Sequence, residues 1–283
     1  MQIAINKVNE VLQNQSPIYC LGELVHNKTL LQNFEKKGMI TVHSIQEVPE
    51  NEMVIIRTHG ETPNTYQKAA QKNAQIIDLT CSNVKVIHEK VKQKKANSFV
   101  IIIGEKNHPE VIGTLGFAGK DASVVENETD ILACYQAYKK TKLNLVYVVS
   151  QTTFSSQRFE QLASQIRKTF HLIDIKIDKT ICHTTQNRQL EAIKLAKQST
   201  VMLVIGGKDS SNTKKLYELA SQYCQKTFHI QTSKELNHII VEENDEIGLI
   251  TGASTPENIV NEIKYELERK YKSCGNSKKL ARL

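Results

Sequence analysis

The chain has 283 residues and a formal net charge of +7, with 40% hydrophobic and only 6% aromatic residues. This length allows two or three compact units, each with a core of its own. The charge is modest for the size and lies mostly on helical faces and the C-terminal tail, without a nucleic-acid-recognition motif. We therefore expect no nucleic-acid partner. No signal peptide or apolar run of membrane length is recognisable, so no membrane partner is expected either.

The predicted strands and helices alternate along the chain. The helical patterns are 1–13, 27–37, 62–72, 84–95, 109–117, 128–139, 155–168, 187–197, 212–224 and 256–270. The predicted strands are 18–22, 39–43, 52–57, 75–79, 98–103, 122–125, 144–149, 172–177, 200–205, 227–230 and 246–251. Such alternation is typical of parallel sheets built from right-handed crossovers.

The elements group into three similar α/β units with mainly parallel sheets. We expect the first unit to span residues 1–82, the second 83–182 and the third 183–272, followed by a basic tail at 273–283. Units of this size lie within the usual range for domains.

The six cysteines form no CxxC pair, which predicts reduced thiols and a cytoplasmic location. An isolated free cysteine is most often a small core residue, and we expect this of Cys20, Cys134 and Cys224. Cys274 falls in the tail.

Cys81 and Cys182 differ from the other four, because each follows a predicted strand and precedes a helical pattern. They are 101 residues apart, at equivalent points of two similar units. The free amides and the dipole of a helix N-terminus favour a thiolate. Two such thiolates suggest a shared central ligand.

Polar residues follow five of the predicted strands. Ligands collect beyond the carboxyl ends of strands in open α/β sheets, and helix N-termini can hold phosphate. Each stretch also has a simpler interpretation, since serines commonly cap helices and a lone histidine is usually structural. His43, His88, His171, His229 and His238 are assigned a structural role. The stretches are Thr58-His59-Gly60, His108-Pro109-Glu110, Gln151-Thr152-Thr153, Ser210-Ser211-Asn212 and Thr251-Gly252-Ala253-Ser254.

Eight ordered motifs resemble those of the LytB/IspH family, the 4-hydroxy-3-methylbut-2-enyl diphosphate reductases of isoprenoid synthesis. The resemblance runs from residue 3 to about residue 272. The motifs are His26 in Glu-Leu-Val-His-Asn, His59 in Thr-His-Gly, Cys81 in Asp-Leu-Thr-Cys, His108-Pro-Glu110, Gln151-Thr-Thr, Cys182 in Ile-Cys-His-Thr-Thr-Gln-Asn-Arg-Gln, Ser210-Ser-Asn212 and Thr251-Gly-Ala-Ser254.

The resemblance implies three α/β units arranged as a trefoil around a central 4Fe–4S cluster. By motif, Cys81 and Cys182 would be two of its three cysteine ligands, and Glu110 would be the proton donor. Thr152 would line the site. The residues that would hold the diphosphate are His26, His59, His108, Ser210, Ser211, Asn212 and Ser254.

The family's opening strand and its Gly-Phe-Cys-x-Gly-Val motif have no counterpart in these 283 residues, so the first cluster cysteine is missing. Cys20 does not replace it by motif. Either the true start lies upstream of Met1 or the chain is truncated, and the codons before Met1 would distinguish the two. Smaller departures are Ser82, where the family usually has proline, and Asp209 in the serine loop.

These motifs predict a cytoplasmic reductase that forms isopentenyl and dimethylallyl diphosphates with two electrons from a ferredoxin or flavodoxin. The alternative is a cluster-deficient relic that binds a diphosphate without turnover. Thiolates suit iron, hydrogen-bond donors suit a diphosphate, and a carboxylic acid can protonate a departing hydroxyl group.

Overall fold

The computed structural model describes residues 2–14, 17–25, 28–242, 244–272 and 280–281. Within them the chain forms three four-stranded sheets, in which all neighbouring strands run parallel. Helices alternate with the strands along the chain.

The first sheet has the order β2-β1-β3-β4. Its central strands are buried, because helices follow the strands and each crossover returns to the sheet. The strands are β1 (Ile18–Leu21), β2 (Met39–Val42), β3 (Met53–Ile56) and β4 (Gln75–Asp78). The helices are α1 (Gln2–Asn14), α2 (Lys28–Lys36) and α3 (Pro63–Gln71), and α4 (Ser82–Lys94) leads on to the second sheet and packs against it.

The second sheet has the order β6-β5-β7-β8. Side chains of β5 alternate between two core clusters, with Ile101 on one face and Ile102 on the other. The strand is therefore apolar throughout. The strands are β5 (Phe99–Ile103), β6 (Ala122–Val125), β7 (Leu145–Ser150) and β8 (Asp174–Ile177). The helices are α5 (Pro109–Ala118), α6 (Asp130–Lys139) and α7 (Ser156–Thr169).

The third sheet has the order β10-β9-β11-β12. It also has a core on each face, with Leu203 in one cluster and Val204 in the other. The strands are β9 (Val201–Ile205), β10 (Lys226–Ile230), β11 (Ile247–Thr251) and β12 (Leu280–Ala281). The helices are α8 (His183–Gln198), α9 (Ser211–Ser221) and α10 (Glu257–Lys272).

Each sheet thus repeats one strand order, second-first-third-fourth, which confirms the predicted fold class of three similar α/β units with parallel sheets. The chain divides into two compact bodies. The first body contains the first two sheets, with residues up to Leu24 and Thr29–Cys182, and the second contains the third sheet, with Val25, Lys28 and residues from His183 onward. The trefoil arrangement and the boundaries at 82, 182 and 272 remain predictions.

Helix α8 and strand β12 are among the elements that differ from the sequence prediction. Helix α8 begins at His183, four residues earlier than expected, because Thr184 and Thr185 are weak helix formers that conceal the start. Strand β12 was not predicted, since a two-residue strand in a basic tail has no recognisable pattern.

The expected core cysteines Cys20, Cys134 and Cys224 are buried. Cys224 lies just beyond α9 rather than within it, and Cys274 lies outside the described residues. In the part of the chain that the structure describes, no helix has both the length and the apolar character needed to cross a bilayer.

Candidate active site

Cys81 and Cys182 occupy equivalent turns beside the first and second sheets. The backbone N–H of Cys81 donates to the carbonyl of Thr58, and that of Cys182 donates to the carbonyl of Thr152, each at 3.0 Å. Thr58 follows β3 and Thr152 follows β7, so each cysteine is tied to the end of a neighbouring strand. Cys81 is exposed at the start of α4, whereas Cys182 is partly buried immediately before α8.

A side-chain contact connects the two cysteine turns. The amide Nδ2 of Asn83, two residues after Cys81, donates to the Sγ atom of Cys182 at 3.1 Å. Both turns belong to the first body, so the hydrogen bond brings the start of α4 against the second thiol.

The two thiols fit as part of the ligand set of an iron–sulfur cluster. Thiolates are the usual ligands of such clusters, and helix N-termini favour the ionised sulfur. No group of three His, Cys, Asp or Glu side chains suited to a metal ion occurs among the described residues. The assignment of Cys81 and Cys182 as two of the cluster ligands remains a prediction.

Glu110 is a buried acid at the start of α5, with 2% of its surface exposed. Its carboxylate accepts two hydrogen bonds from Thr152, one from the backbone N–H at 2.6 Å and one from Oγ1 at 2.7 Å. Burial raises the pKa of Glu110 to about 7, and these two bonds counteract the rise. A carboxyl group in this balance can hold a proton at neutral pH and can also release it.

Two histidines lie beside this acid. His108 caps α5 with its Nδ1, which accepts from the Glu110 backbone N–H at 3.2 Å, so the neutral ring carries its proton on Nε2. The ring of His59 meets that of His108 edge to face, with the centroids 5.1 Å apart. The structure thus gathers His59, His108, Glu110 and Thr152 at the carboxyl ends of β3, β5 and β7, within the first body.

The second body carries the predicted serine motif at the start of α9. Ser210 caps this helix, and Ser210, Ser211 and Asn212 are all buried. The buried Nδ2 atom of Asn212 has no hydrogen-bond partner in the described part of the chain. A buried donor left unpaired costs about 1–3 kcal/mol, so its retention at a helix N-terminus indicates a site for an anionic ligand.

The loops after β9 and β11 meet over the first turn of α9. A Cβ atom at Gly206 would lie 2.9 Å from the Oγ1 of Thr213, and one at Gly252 would lie 2.2 Å from the same atom. Both glycines are therefore required for this close approach. Thr255 adds a hydrogen bond from its Oγ1 to the carbonyl of Ile205 at 2.9 Å. The half-buried Ser254 lies in the same turn, beside the start of α9.

The second body also contains a cavity of about 420 Å³ between α8, α10 and the end of β11. Arg188 lines it and donates to the carbonyl of Thr251, which fixes α8 against that strand. The cavity is also lined by Asn187, Glu191 and Lys264.

The motifs and the geometry agree with a comparison to known families, in which a model described as "LytB protein" matches residues 1–268. The chain belongs to the LytB family. Proteins of this family are generally 4Fe–4S enzymes.

This LytB chain is similar to proteins that are named as diphosphate reductases. The 4-hydroxy-3-methylbut-2-enyl diphosphate reductase of Petrotoga mobilis is 33% identical over 267 residues, with 93% of this chain and 91% of the relative covered. The same-named protein of Clostridioides difficile is 36% identical over 261 residues, covering 92% and 91%. The solved E-1-hydroxy-2-methyl-but-2-enyl-4-diphosphate reductase of Plasmodium falciparum matches with a TM-score of 0.85 and 31% identity, covering 94% of this chain and 83% of that one.

The structure does not describe every predicted site residue of the LytB chain. His26 lies outside the described residues. The roles assigned by motif remain predictions for the cysteines, Glu110 and the expected diphosphate ligands alike.

Sequence reasoning missed three residues that shape the site. Asn83 lies two residues after Cys81, and Thr213 lies in the first turn after the helix cap Ser210. A polar side chain next to a cysteine or a helix cap was the signal that could have identified them. His88 was assigned a structural role, and the structure buries it between the loop of His59 and α5. Its position depends on packing between elements distant in sequence.

The raised pKa of Glu110 predicts a pH-dependent contribution to stability. The carboxyl ionises near pH 4.5 when unfolded but keeps its proton to about pH 7 when folded. The stabilisation is complete below pH 4.5 and is lost as the pH rises to about 7, by on the order of 3 kcal/mol. Glu110→Gln should not lose stability between pH 4.5 and 7. Its free energy of unfolding, measured by urea unfolding, should therefore increase relative to that of the wild type over this pH range.

The matched control is Glu257→Gln, which changes an exposed glutamate in the first turn of α10. It should keep the wild-type pH dependence. If the free energies of unfolding of wild type and Glu110→Gln changed with pH in parallel, the result would show that the buried carboxyl ionises normally and would contradict the prediction.

Proposed function

We propose that this chain reduces 4-hydroxy-3-methylbut-2-enyl diphosphate to isopentenyl and dimethylallyl diphosphates. The observation that carries the proposal is the position of Glu110. Thr152 donates two hydrogen bonds to this buried acid, and its carbonyl accepts the backbone N–H of Cys182. Thr152 therefore fixes the position of a proton-donating group relative to a proposed cluster ligand. Membership of the LytB family supports the same activity.

The overall reaction defines what the residues must do. The allylic C–O bond breaks, two electrons and two protons enter, and the hydroxyl group leaves as water. A protonated carboxyl beside the departing oxygen supplies one of these protons, which makes water rather than hydroxide the leaving group. With a pKa of about 7, Glu110 holds that proton at neutral pH and is assigned this step.

Cys81 and Cys182 would hold the cluster. When bound, a 4Fe–4S cluster supplies electrons and a Lewis-acidic iron for the hydroxyl oxygen. Asn83 donates to Cys182 and so holds that sulfur in place. A ferredoxin or flavodoxin is the proposed source of electrons, and the unpaired thiols favour the reducing cytoplasm as the location.

Each of the two bodies contains hydrogen-bond donors that we assign to the diphosphate. In the first body, the Nε2 of His108 and the ring of His59 are the proposed donors. In the second, Ser210, Ser211 and Ser254 present hydroxyl groups, and Asn212 presents its unpaired amide. Helix N-termini at α5 and α9 add positive ends of backbone dipoles. His26 is retained as a proposed ligand on its motif alone.

The alternative, a cluster-deficient protein that only binds a diphosphate, is not favoured. Binding would need the hydrogen-bond donors but not a buried acid with a pKa near neutrality. Keeping Glu110 buried with a raised pKa lowers stability at neutral pH, a cost that proton transfer explains.

The reductase activity is tested by anaerobic reconstitution of the chain with iron and sulfide, followed by assay with a low-potential electron donor. We expect consumption of the hydroxylated diphosphate and formation of both isomeric products, identified by mass spectrometry and chromatography. Diphosphate binding without any turnover would instead support the non-catalytic alternative.

Replacement of the proposed acid should separate chemistry from binding. Glu110→Gln keeps the shape of the side chain but cannot provide an acidic proton. Turnover should fall by about 10²–10⁴-fold, with substrate affinity largely retained.

Glu257→Gln again serves as the control, because it changes an exposed glutamate in the first turn of α10. That variant should turn over normally. Normal turnover by Glu110→Gln would remove Glu110 from the proton-transfer step.

Replacement of the proposed phosphate ligands should weaken binding. His59→Ala and Ser211→Ala each remove one hydrogen bond to a charged oxygen, which is worth about 1–3 kcal/mol. Calorimetric titration with isopentenyl diphosphate measures the change without requiring turnover. Ser221→Ala, at the exposed C-terminal end of α9, is the matched serine control. Equal affinities for all four proteins would exclude both residues as ligands.

A further inference from the structure

We propose that His88 is a positioning residue, whose imidazole ring sets the separation of His59 and His108. The proposal rests on the assignment of these two histidines to diphosphate binding. His88 acts on these histidines through the two segments that its ring contacts, the His59 loop and α5.

The ring of His88 is fixed inside the first body. His88 lies on the inner face of α4 with 4% of its surface exposed. It stacks on Phe117 of α5, with the ring centroids 4.3 Å apart and an angle of 23° between the planes. Burial lowers the pKa of His88 to about 4, so the ring is neutral at physiological pH.

One edge of this ring lies against the loop that carries His59. A Cβ atom placed on Gly60 would come within 2.8 Å of the His88 Cε1. Gly60 also has a φ of +74°, in the left-handed region. Any larger residue at this position would therefore strain the backbone and meet the ring. The backbone next to His59 thus rests directly on His88.

The adjacent ring atom, Nε2, faces the helix that carries His108 and Glu110. A Cβ atom on Gly113 would lie 3.5 Å from the His88 Nε2 and 3.5 Å from the carbonyl oxygen of Glu61. Gly113 is one turn beyond Glu110 on α5. His88 therefore fills the corner where the His59 loop meets α5, and its ring determines how the two segments are placed against each other.

Stability does not explain a histidine at this position. The buried Nε2 has no hydrogen-bond partner among the described residues, which is a cost that an apolar side chain would avoid. Imidazole is the smallest aromatic ring among the amino acids. A branched aliphatic side chain is thicker, and a six-membered ring is longer, so either would change the spacing between Gly60 and Gly113.

The test uses His88→Ala and His88→Phe, which respectively remove the ring and lengthen it. In the ligand-free protein, two-dimensional NMR should show shifted ring resonances for both His59 and His108, assigned by the loss of each signal in its own alanine variant. Affinity for inorganic pyrophosphate, measured by calorimetry, should fall about tenfold. The phenylalanine variant keeps the buried stack and provides the test if the alanine variant fails to fold.

Val91→Ala is the matched control, since Val91 is fully buried one turn further along α4 but belongs to the apolar core. It should lower stability without changing the ring resonances or the affinity. A folded His88 variant with wild-type ring resonances and affinity would overturn the proposal. Absence of pyrophosphate binding by the wild type would count against the diphosphate site, whereas the ring resonances would still decide the role of His88.

Discussion

The hydrogen bonds of Thr152 are the interaction on which the site depends. Its backbone N–H and hydroxyl group donate to Glu110, and its carbonyl accepts from the backbone of Cys182. A carboxyl buried without such donors would be held only as the neutral acid. With them, hydrogen bonding offsets part of the effect of burial, and the pKa of Glu110 is raised only to about 7. The same residue therefore fixes both the position and the acidity of the proposed proton donor.

The first two sheets repeat one backbone arrangement but carry different side chains. The backbone N–H of Cys81 donates to the carbonyl of Thr58, just as that of Cys182 donates to the carbonyl of Thr152. Each cysteine precedes a helix. Thr152 in addition donates two hydrogen bonds to the carboxylate of the buried Glu110. Repetition of the fold thus supplies equivalent thiols, while the acid belongs to the second sheet alone.

Close packing at glycines brings the remaining residues together. Gly60 admits the ring of His88, and Gly206 and Gly252 admit the side chain of Thr213. In each case a side chain of a helix occupies the space that a Cβ atom would need. Small changes of volume at these positions would move the loops that carry the polar residues. The geometry of the proposed ligands is consequently set by residues that make no contact with substrate.

The sequence by itself determined the fold class, because strand and helix periodicities alternate along the whole chain and dictate parallel sheets. It also identified Cys81, Cys182 and Glu110 as candidates, since thiols before helices and an acid after His108-Pro109 form local motifs. Only the tertiary structure decided that Thr152 donates to Glu110, that Asn83 donates to Cys182 and that His88 packs against both the His59 loop and α5. These contacts join residues far apart in the chain, and their energies depend on burial, which local patterns do not specify.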